Sequence, residues 1–278
     1  MMAMGQSPED VARRTRRWRP APRRLLGAIV VALAASGIGG SSAAALHAGV
    51  EQAGASAAVR SAHARVPRPV RLLEIGDSLG EDLGYGLVDL LGRDRGVELF
   101  TKAVGDTGLS NAAYYNWPAQ LGQELAAERP QVVVVFLGAN DVQGLVANGR
   151  AYAFDSAGWR RAYAQRVAEM VAEVQRWHAR LLWVGMPIMA SAQFSKDMTT
   201  LNAFYRAATR RRRGVAFLPT WKLFSNAAGQ YAQYLPGPNG GLVAMRGPDG
   251  IHIAPPYGDE RVAHAVIVAL RHAFGLRL

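Results

Sequence analysis

The sequence predicts an α/β fold with a central parallel sheet of about five strands. Short, continuously apolar runs alternate with longer segments of helical periodicity. Strands that lack polar alternation are buried on both faces, which is typical of parallel sheets covered by helices on each side. Polar, glycine-containing stretches follow the first three apolar runs, and this edge of an open parallel sheet is where ligands bind.

Each element has its own signal in the chain. The apolar runs VRLLEIG, VELFTKAVG, QVVVVFLG, RLLWVGMP and GVAFLPT predict, in order, strands over residues 70–76, 97–105, 131–138, 180–187 and 214–220. The segments between and after them predict helices over residues 79–92, 118–128, 158–179, 196–212 and 257–274. No internal repeat interrupts this alternation.

An export leader is predicted at the N-terminus. A basic stretch precedes an apolar segment from Leu25, and Ala43, Ala44 and Ala45 then offer a small-x-small cleavage site. We therefore expect residues 1–45 to be an export signal. The stretch 25–50 would anchor the chain in a membrane if it stayed uncut, but its glycines and serines favour cleavage.

A linker and the folded domain follow the leader. Residues 46–69 are rich in Ala and end in two prolines, which predicts a tether, and residues 70–278 form the domain. The domain is expected in the periplasm or outside the cell. The export route stays open, since Arg23 and Arg24 before two leucines loosely resemble a twin-arginine signal.

Composition excludes several classes of function. The 278 residues include no cysteine, so disulfides, thiolate metal sites and a cysteine nucleophile are excluded. The net charge of +11 falls to +6 over residues 65–278, where 24 Lys and Arg face 18 Asp and Glu. The one dense basic run, Arg210–Arg213, lies where a helix is expected to end, and cations there complement the backbone carbonyls. No nucleic-acid-binding motif accompanies it, so no nucleic-acid partner is expected.

Two distant segments suggest nucleophilic catalysis. Ser78 in GDSLG follows the first strand and fits the G-x-S-x-G pattern of a nucleophile elbow, although serine is also a common helix N-cap. Asp249 and His252, three residues apart before the last helix, can supply the base that a serine needs and the carboxylate that orients it. An oxyanion hole could use the N–H groups of Ser78 and Gly105 and the amide of Asn140.

Together these residues resemble the SGNH (GDSL-type) hydrolase superfamily. Its signature blocks occur here in order, as Ser78 in GDSLG, Gly105 in GDT, Asn140 in GAND and Asp249 with His252 in DGIH. The resemblance covers roughly residues 70–275. It implies a flavodoxin-like three-layer α/β/α sandwich, no metal or cofactor, and transfer or hydrolysis of ester-linked acyl groups. It also implies that Ser78 is the nucleophile, His252 the base, Asp249 its orienter, and Ser78, Gly105 and Asn140 the oxyanion hole. An ordinary α/β-hydrolase is a poorer match, because it would place its nucleophile in mid-chain, whereas Ser78 follows the first predicted strand.

Other segments resemble an exported bacterial SGNH subgroup of unknown function. These are YYNWPAQL, WVGMPIM and WKLFSNAAGQYAQYLPGPNGG. Asn116 departs from the acidic residue expected before the Trp-Pro pair, which concerns a substrate contact and not the triad. The substrate-contact candidates near the blocks are Asp77, Tyr115, Trp117 and Asp141.

A serine esterase is the expected activity. With export, O-acetylated envelope or exported glycans are the first expected substrates, ahead of short-chain or lipid esters. An O-acetyltransferase would use the same triad with a sugar hydroxyl in place of water. A non-catalytic glycan-binding subunit of an envelope complex is disfavoured, because it needs neither nucleophile nor base.

Overall fold

A computed structural model of the protein describes residues 68–278. The predicted signal 1–45 and nearly all of the linker 46–69 lie outside the described residues. Within residues 68–278, no helix is both long and apolar enough to cross a membrane.

The described chain contains nine strands and five α-helices. The strands are β1 (Val70–Gly76), β2 (Val97–Thr101), β3 (Val132–Phe136), β4 (Leu145–Ala147), β5 (Arg150–Tyr152), β6 (Arg180–Val184), β7 (Val215–Leu218), β8 (Tyr234–Pro236) and β9 (Leu242–Ala244). The helices are α1 (Ser78–Leu91), α2 (Trp117–Glu128), α3 (Ala157–Arg176), α4 (Ala192–Thr209) and α5 (Tyr257–Phe274). A 3₁₀ turn covers Trp221–Phe224.

Five strands form one parallel sheet in the order β2-β1-β3-β6-β7. Counting only these strands along the chain, the order is 2-1-3-4-5, that of flavodoxin-like folds. Helices α1 and α5 pack on each other on one face, while α2, α3 and α4 pack in succession on the other. The predicted three-layer α/β/α sandwich is confirmed.

The core follows from the apolar runs that predicted the strands. Every residue of β3, a valine-rich strand at the centre of the sheet, is buried. Its register with β1 places Leu72 beside Val132 and Ile75 beside Val135. Because both faces are covered, strands without polar alternation are the stable choice here.

Most predicted bounds hold to within a few residues, and two hairpins were not predicted. The second strand ends at Thr101 and not at residue 105, although Lys102 N and Val104 N still donate to backbone oxygens of β1. The antiparallel pairs β4–β5 and β8–β9 lie in connections where no strand was predicted. These connections extend from the carboxyl edge of the sheet.

Candidate active site

The GDSLG segment makes a sharp turn from β1 into α1. Gly76 has no room for a side chain, because a Cβ there would lie 2.1 Å from the carbonyl oxygen of Phe136. Asp77 is the N-cap, since its carboxylate accepts from the N–H of Leu79 at 3.0 Å. Ser78 is therefore the first helical residue, and its hydroxyl is not needed as the cap.

Ser78, His252 and Asp249 form one continuous hydrogen-bonded chain. The Oγ of Ser78 lies 2.9 Å from Nε2 of His252, and Nδ1 of His252 lies 2.6 Å from Oδ2 of Asp249. The other carboxylate oxygen of Asp249 accepts from the N–H groups of Ile251 and His252. The carboxylate thus fixes both the imidazole and the backbone that carries it.

The electrostatics favour a basic imidazole. Burial alone would lower the pKa of His252, but the hydrogen bond and charge of Asp249 and the charges of Asp82 and Asp77 raise it above its ordinary value. Burial would raise the pKa of Asp249, yet the hydrogen bonds from His252 and Ile251 hold it below the usual range. The side chains of His252 and Asp249 are 43% and 45% exposed, so substrate can reach the pair.

A second carboxylate, that of Asp82, binds residues 245–256 between β9 and α5. We call these residues the base segment, because they carry His252, the expected base. Asp82, on the second turn of α1, accepts from the N–H of Ile253 at 2.9 Å. Burial raises the pKa of Asp82 to about 6, while the hydrogen bond from Ile253 and the charge of His252 act in the opposite direction. This hydrogen bond therefore ties α1 to the segment after His252, close to Ser78.

A buried arginine also holds the base segment. The guanidinium of Arg246 donates to the carbonyl oxygens of Ile188 and Ile251 at 2.5 Å each and to that of His252 at 3.2 Å. It stacks over the rings of Phe224 and Tyr231. Arg246 was not singled out from the sequence, although an isolated arginine three residues before the DGIH block was a usable signal.

The three expected oxyanion donors lie on three loops at the same edge. Ser78 begins α1, where the first N–H groups of a helix have no helical acceptor. The amide of Asn140 donates to the carbonyl oxygen of Thr107 at 2.9 Å, and since an amide nitrogen carries two donors, one remains for a ligand. The N–H of Gly105 donates to Oε1 of Glu81 at 2.9 Å.

Three expected substrate contacts are contradicted by burial. Asp77 and Asp141 are fully buried and Trp117 is 1% exposed, so none can touch a substrate in this structure. Asp77 accepts from the N–H groups of Gly138 and Ala139 and so ties β1 to the loop of Asn140. Burial raises the pKa of Asp77 to about 7 against these hydrogen bonds.

Asp141 and Trp117 instead brace the site loops. Asp141 accepts from the N–H of Ser110 and the hydroxyl of Tyr163, at 2.7 Å each. The indole of Trp117 donates to Oγ1 of Thr107 at 3.0 Å. Tyr115 stays partly exposed and packs against Trp117. Among the expected contacts it alone remains accessible.

Asn116 serves the local helix. Its side chain accepts from the N–H of Ala119 at 3.3 Å and caps α2. Asparagine and aspartate are both good N-caps, so Asn116 can start the helix as well as the acidic residue expected there.

Across residues 68–278, no group of three or more His, Asp or Glu side chains is arranged to hold a metal ion.

A family model described as "Protein of unknown function (DUF459)" matches residues 71–269. The chain belongs to this family. The DUF459 family is SGNH-like, so the resemblance drawn from the four sequence blocks is confirmed. Among curated proteins, none matches the chain.

Solved structures of GDSL-type enzymes share the fold. A GDSL-like lipase from Bacteroides thetaiotaomicron is 14% identical, with a TM-score of 0.51 over 74% of this chain and 92% of that one. A catalytic mutant of an acetylxylan esterase from Geobacillus stearothermophilus is also 14% identical, with a TM-score of 0.51 over 75% of this chain and 95% of that one. At this identity the likeness establishes the fold alone.

Proposed function

We propose that this DUF459 protein is a serine esterase that works through an acyl-serine intermediate. The observation that carries the proposal is the unbroken chain from Ser78 Oγ to His252 Nε2 and from His252 Nδ1 to Asp249. A serine hydroxyl is a poor nucleophile at neutral pH unless an adjacent base removes its proton. Here the base is in contact, and its own orienting carboxylate is in contact with it.

In the proposed reaction, protons move along this hydrogen-bonded chain. Ser78 Oγ gives its proton to His252 Nε2 as it bonds to the carbonyl carbon, and the carbonyl π electrons move to oxygen. The imidazolium then returns that proton to the departing alcohol as the C–O bond breaks. A water molecule then gives a proton to His252 and bonds to the acyl carbon. The bond between that carbon and Ser78 Oγ breaks, and the imidazolium returns the proton to Oγ, which releases the acid and restores Ser78. Asp249 stays ionised and stabilises the imidazolium throughout.

The surroundings of Ser78 favour a short acyl group on a polar alcohol. Glu81 is exposed and Asp82 is partly exposed on the same helix, and a long apolar chain would have to lie against these carboxylates. Tyr114 is 64% exposed on the loop after the Gly105 block, where its ring could stack on a sugar. These features support O-acetyl esters of glycans as substrates.

Export is part of the proposal. The basic and apolar leader supports delivery of the domain beyond the cytoplasmic membrane, where acetylated envelope or exported glycans are found. An O-acetyltransferase that uses the same triad is the competing activity, and the choice depends on whether water or a sugar hydroxyl reaches the acyl-serine.

One experiment tests both activities. The full-length protein is incubated with an acetylated oligosaccharide, alone and with an unacetylated acceptor, while free acetate and acceptor mass are followed. We expect acetate release, lost in Ser78→Ala with the fold retained. Acetyl transfer without acetate release would replace the esterase by the transferase, and equal activity of Ser78→Ala would reject both.

A further inference from the structure

One expected oxyanion donor is already occupied by an acidic side chain. The N–H of Gly105 donates to Oε1 of Glu81 at 2.9 Å. Both carboxylate oxygens of Glu81 lie 3.4 Å from the position that a Cβ of Gly105 would take. The carboxylate of Glu81 is therefore in direct contact with Gly105.

Glu81 is also close to the nucleophile in the helix. It lies in the first turn of α1, three residues after Ser78, so the two side chains project from the same side of the helix. Its contact with Gly105 joins α1 to the loop after β2.

The two uses of the Gly105 N–H exclude each other. A single N–H carries one proton and cannot bind the carboxylate of Glu81 and an oxyanion at full strength together. A carboxylate left beside the hole would also repel the negative charge that develops on the substrate oxygen. The Gly105 donor can serve catalysis only after Glu81 has moved.

We propose, on the basis of the serine esterase function above, that Glu81 is a displaceable competitor for the oxyanion hole. In the free protein it occupies the Gly105 N–H, and substrate binding displaces it. Glu81 is an exposed side chain, so its carboxylate can rotate into water at modest cost. Part of the substrate's binding free energy is then used to free this donor, and the residue limits the rate with small esters.

The rate at which a neutral organophosphate phosphorylates Ser78 measures how available the oxyanion hole is. Diethyl 4-nitrophenyl phosphate phosphorylates an activated serine and releases one nitrophenol, and its phosphoryl oxygen gains negative charge in the same hole. The rate of release is measured for full-length wild type, Glu81→Ala and Glu81→Gln. Asp89→Ala is the matched control, because it removes an exposed carboxylate from α1 two turns further on.

We expect both Glu81 variants to be labelled faster than wild type, by about 3- to 20-fold, because one charge-assisted hydrogen bond no longer competes. Glu81→Ala should be the faster of the two, since a glutamine can still accept weakly from Gly105. Asp89→Ala should match wild type. Thermal unfolding checks each fold, and Glu81→Gln keeps the side-chain volume, so it decides the matter if Glu81→Ala does not fold.

The results separate this proposal from the function it rests on. If Ser78→Ala releases nitrophenol as fast as wild type, the esterase proposal fails and this one with it. If wild type is labelled at Ser78 but folded Glu81 variants are labelled no faster, the esterase stands and Glu81 is only a structural tie between α1 and the Gly105 loop.

Discussion

In the proposed mechanism His252 must be neutral to take the proton of Ser78, so acid should switch the proposed esterase activity off. Because its pKa is raised above the ordinary 6.5, the fraction of neutral imidazole starts to fall at a higher pH than for an isolated histidine. We expect kcat/KM on a soluble acetate ester to drop about tenfold per pH unit below a midpoint above 6.5. A midpoint at the carboxylate range near pH 4 would mean that another base acts.

Asp249→Asn tests whether the Asp249 carboxylate raises the pKa of His252. The carboxylate raises the pKa of His252, whereas burial lowers it, so the variant's midpoint should move to lower pH. Its kcat should fall by about a thousandfold or more, because an amide does not hold the productive tautomer. The pH profile of kcat/KM measures both effects, and an unmoved midpoint would contradict the assigned role of Asp249.

Glu74 is a fully buried acid whose two carboxyl oxygens have no hydrogen-bond partner in the described structure. Burial, then the charges of Asp77 and Glu81, raise its pKa well above the ordinary value. Its contribution to stability is therefore fully present below pH 4.5 and is lost as pH rises towards its folded pKa.

Glu74→Gln should remove this pH dependence. At pH 8 the variant should have a higher free energy of unfolding than wild type, with little difference at pH 4. Urea unfolding at the two pH values measures it. Glu169→Gln, at an exposed position on α3, serves as the control with no change at either pH. An equal effect of Glu74→Gln on the free energy of unfolding at both pH values would contradict the raised pKa of Glu74.

Burial explains which single residues could be predicted from the sequence. Ser78, His252 and Asp249 could be picked out as candidates because nucleophilic catalysis requires particular residue types in particular blocks, and the structure brings the three into one hydrogen-bonded chain. Asp77 and Asp141 were taken as candidate substrate contacts because they lie in the GDSLG and GAND blocks, yet both are buried and accept hydrogen bonds from loop N–H groups. Side-chain burial in a loop depends on what the rest of the chain brings over it, which local patterns do not contain.

The base segment between β9 and α5 has little regular structure of its own and depends on outside contacts. Arg246 supplies several of them through the carbonyls of Ile188, Ile251 and His252. Burial lowers the pKa of Arg246 to about 10, so it stays charged at neutral pH. Buried charges without a carboxylate partner are costly, and here carbonyl dipoles and two aromatic rings compensate.

Arg246→Lys should disturb the position of His252. Lysine keeps the charge but not the planar fork, so at least one carbonyl loses its donor. We expect kcat to fall about tenfold or more with a smaller change in KM, and the melting temperature to fall by several degrees. Arg261→Lys is the matched control, since Arg261 also binds two carbonyls, of Leu223 and Pro236, outside the base segment. Equal losses of kcat in both variants would point to stability alone.

The regular elements were predictable because period and composition agree over long segments. The helix at residues 257–274 and the first strand were placed at the bounds observed. The β4–β5 hairpin was missed although Asn148 and Gly149, both with positive φ, form an Asn-Gly turn with a known signature. Three-residue strands carry too little periodicity to be recognised without that turn signal.

Charge is distributed unevenly over the described molecule. The four connections that lead from a helix to the next sheet strand, at the edge opposite Ser78, contain seven arginines and one aspartate. Arg210–Arg213 lie there, exposed just after α4, as the sequence predicted for a solvated helix end. The excess positive charge is thus remote from the site and does not attract anionic substrates to it, which agrees with a neutral ester.

Whether Ser78 is the nucleophile can be decided by covalent labelling. The full-length protein is treated with a fluorophosphonate, its intact mass is measured, and the adduct is located by peptide mapping. We expect one adduct, on Ser78, that is absent from folded Ser78→Ala and forms more slowly as pH falls through the titration of His252. An adduct on another serine, or undiminished ester hydrolysis by folded Ser78→Ala, would contradict it.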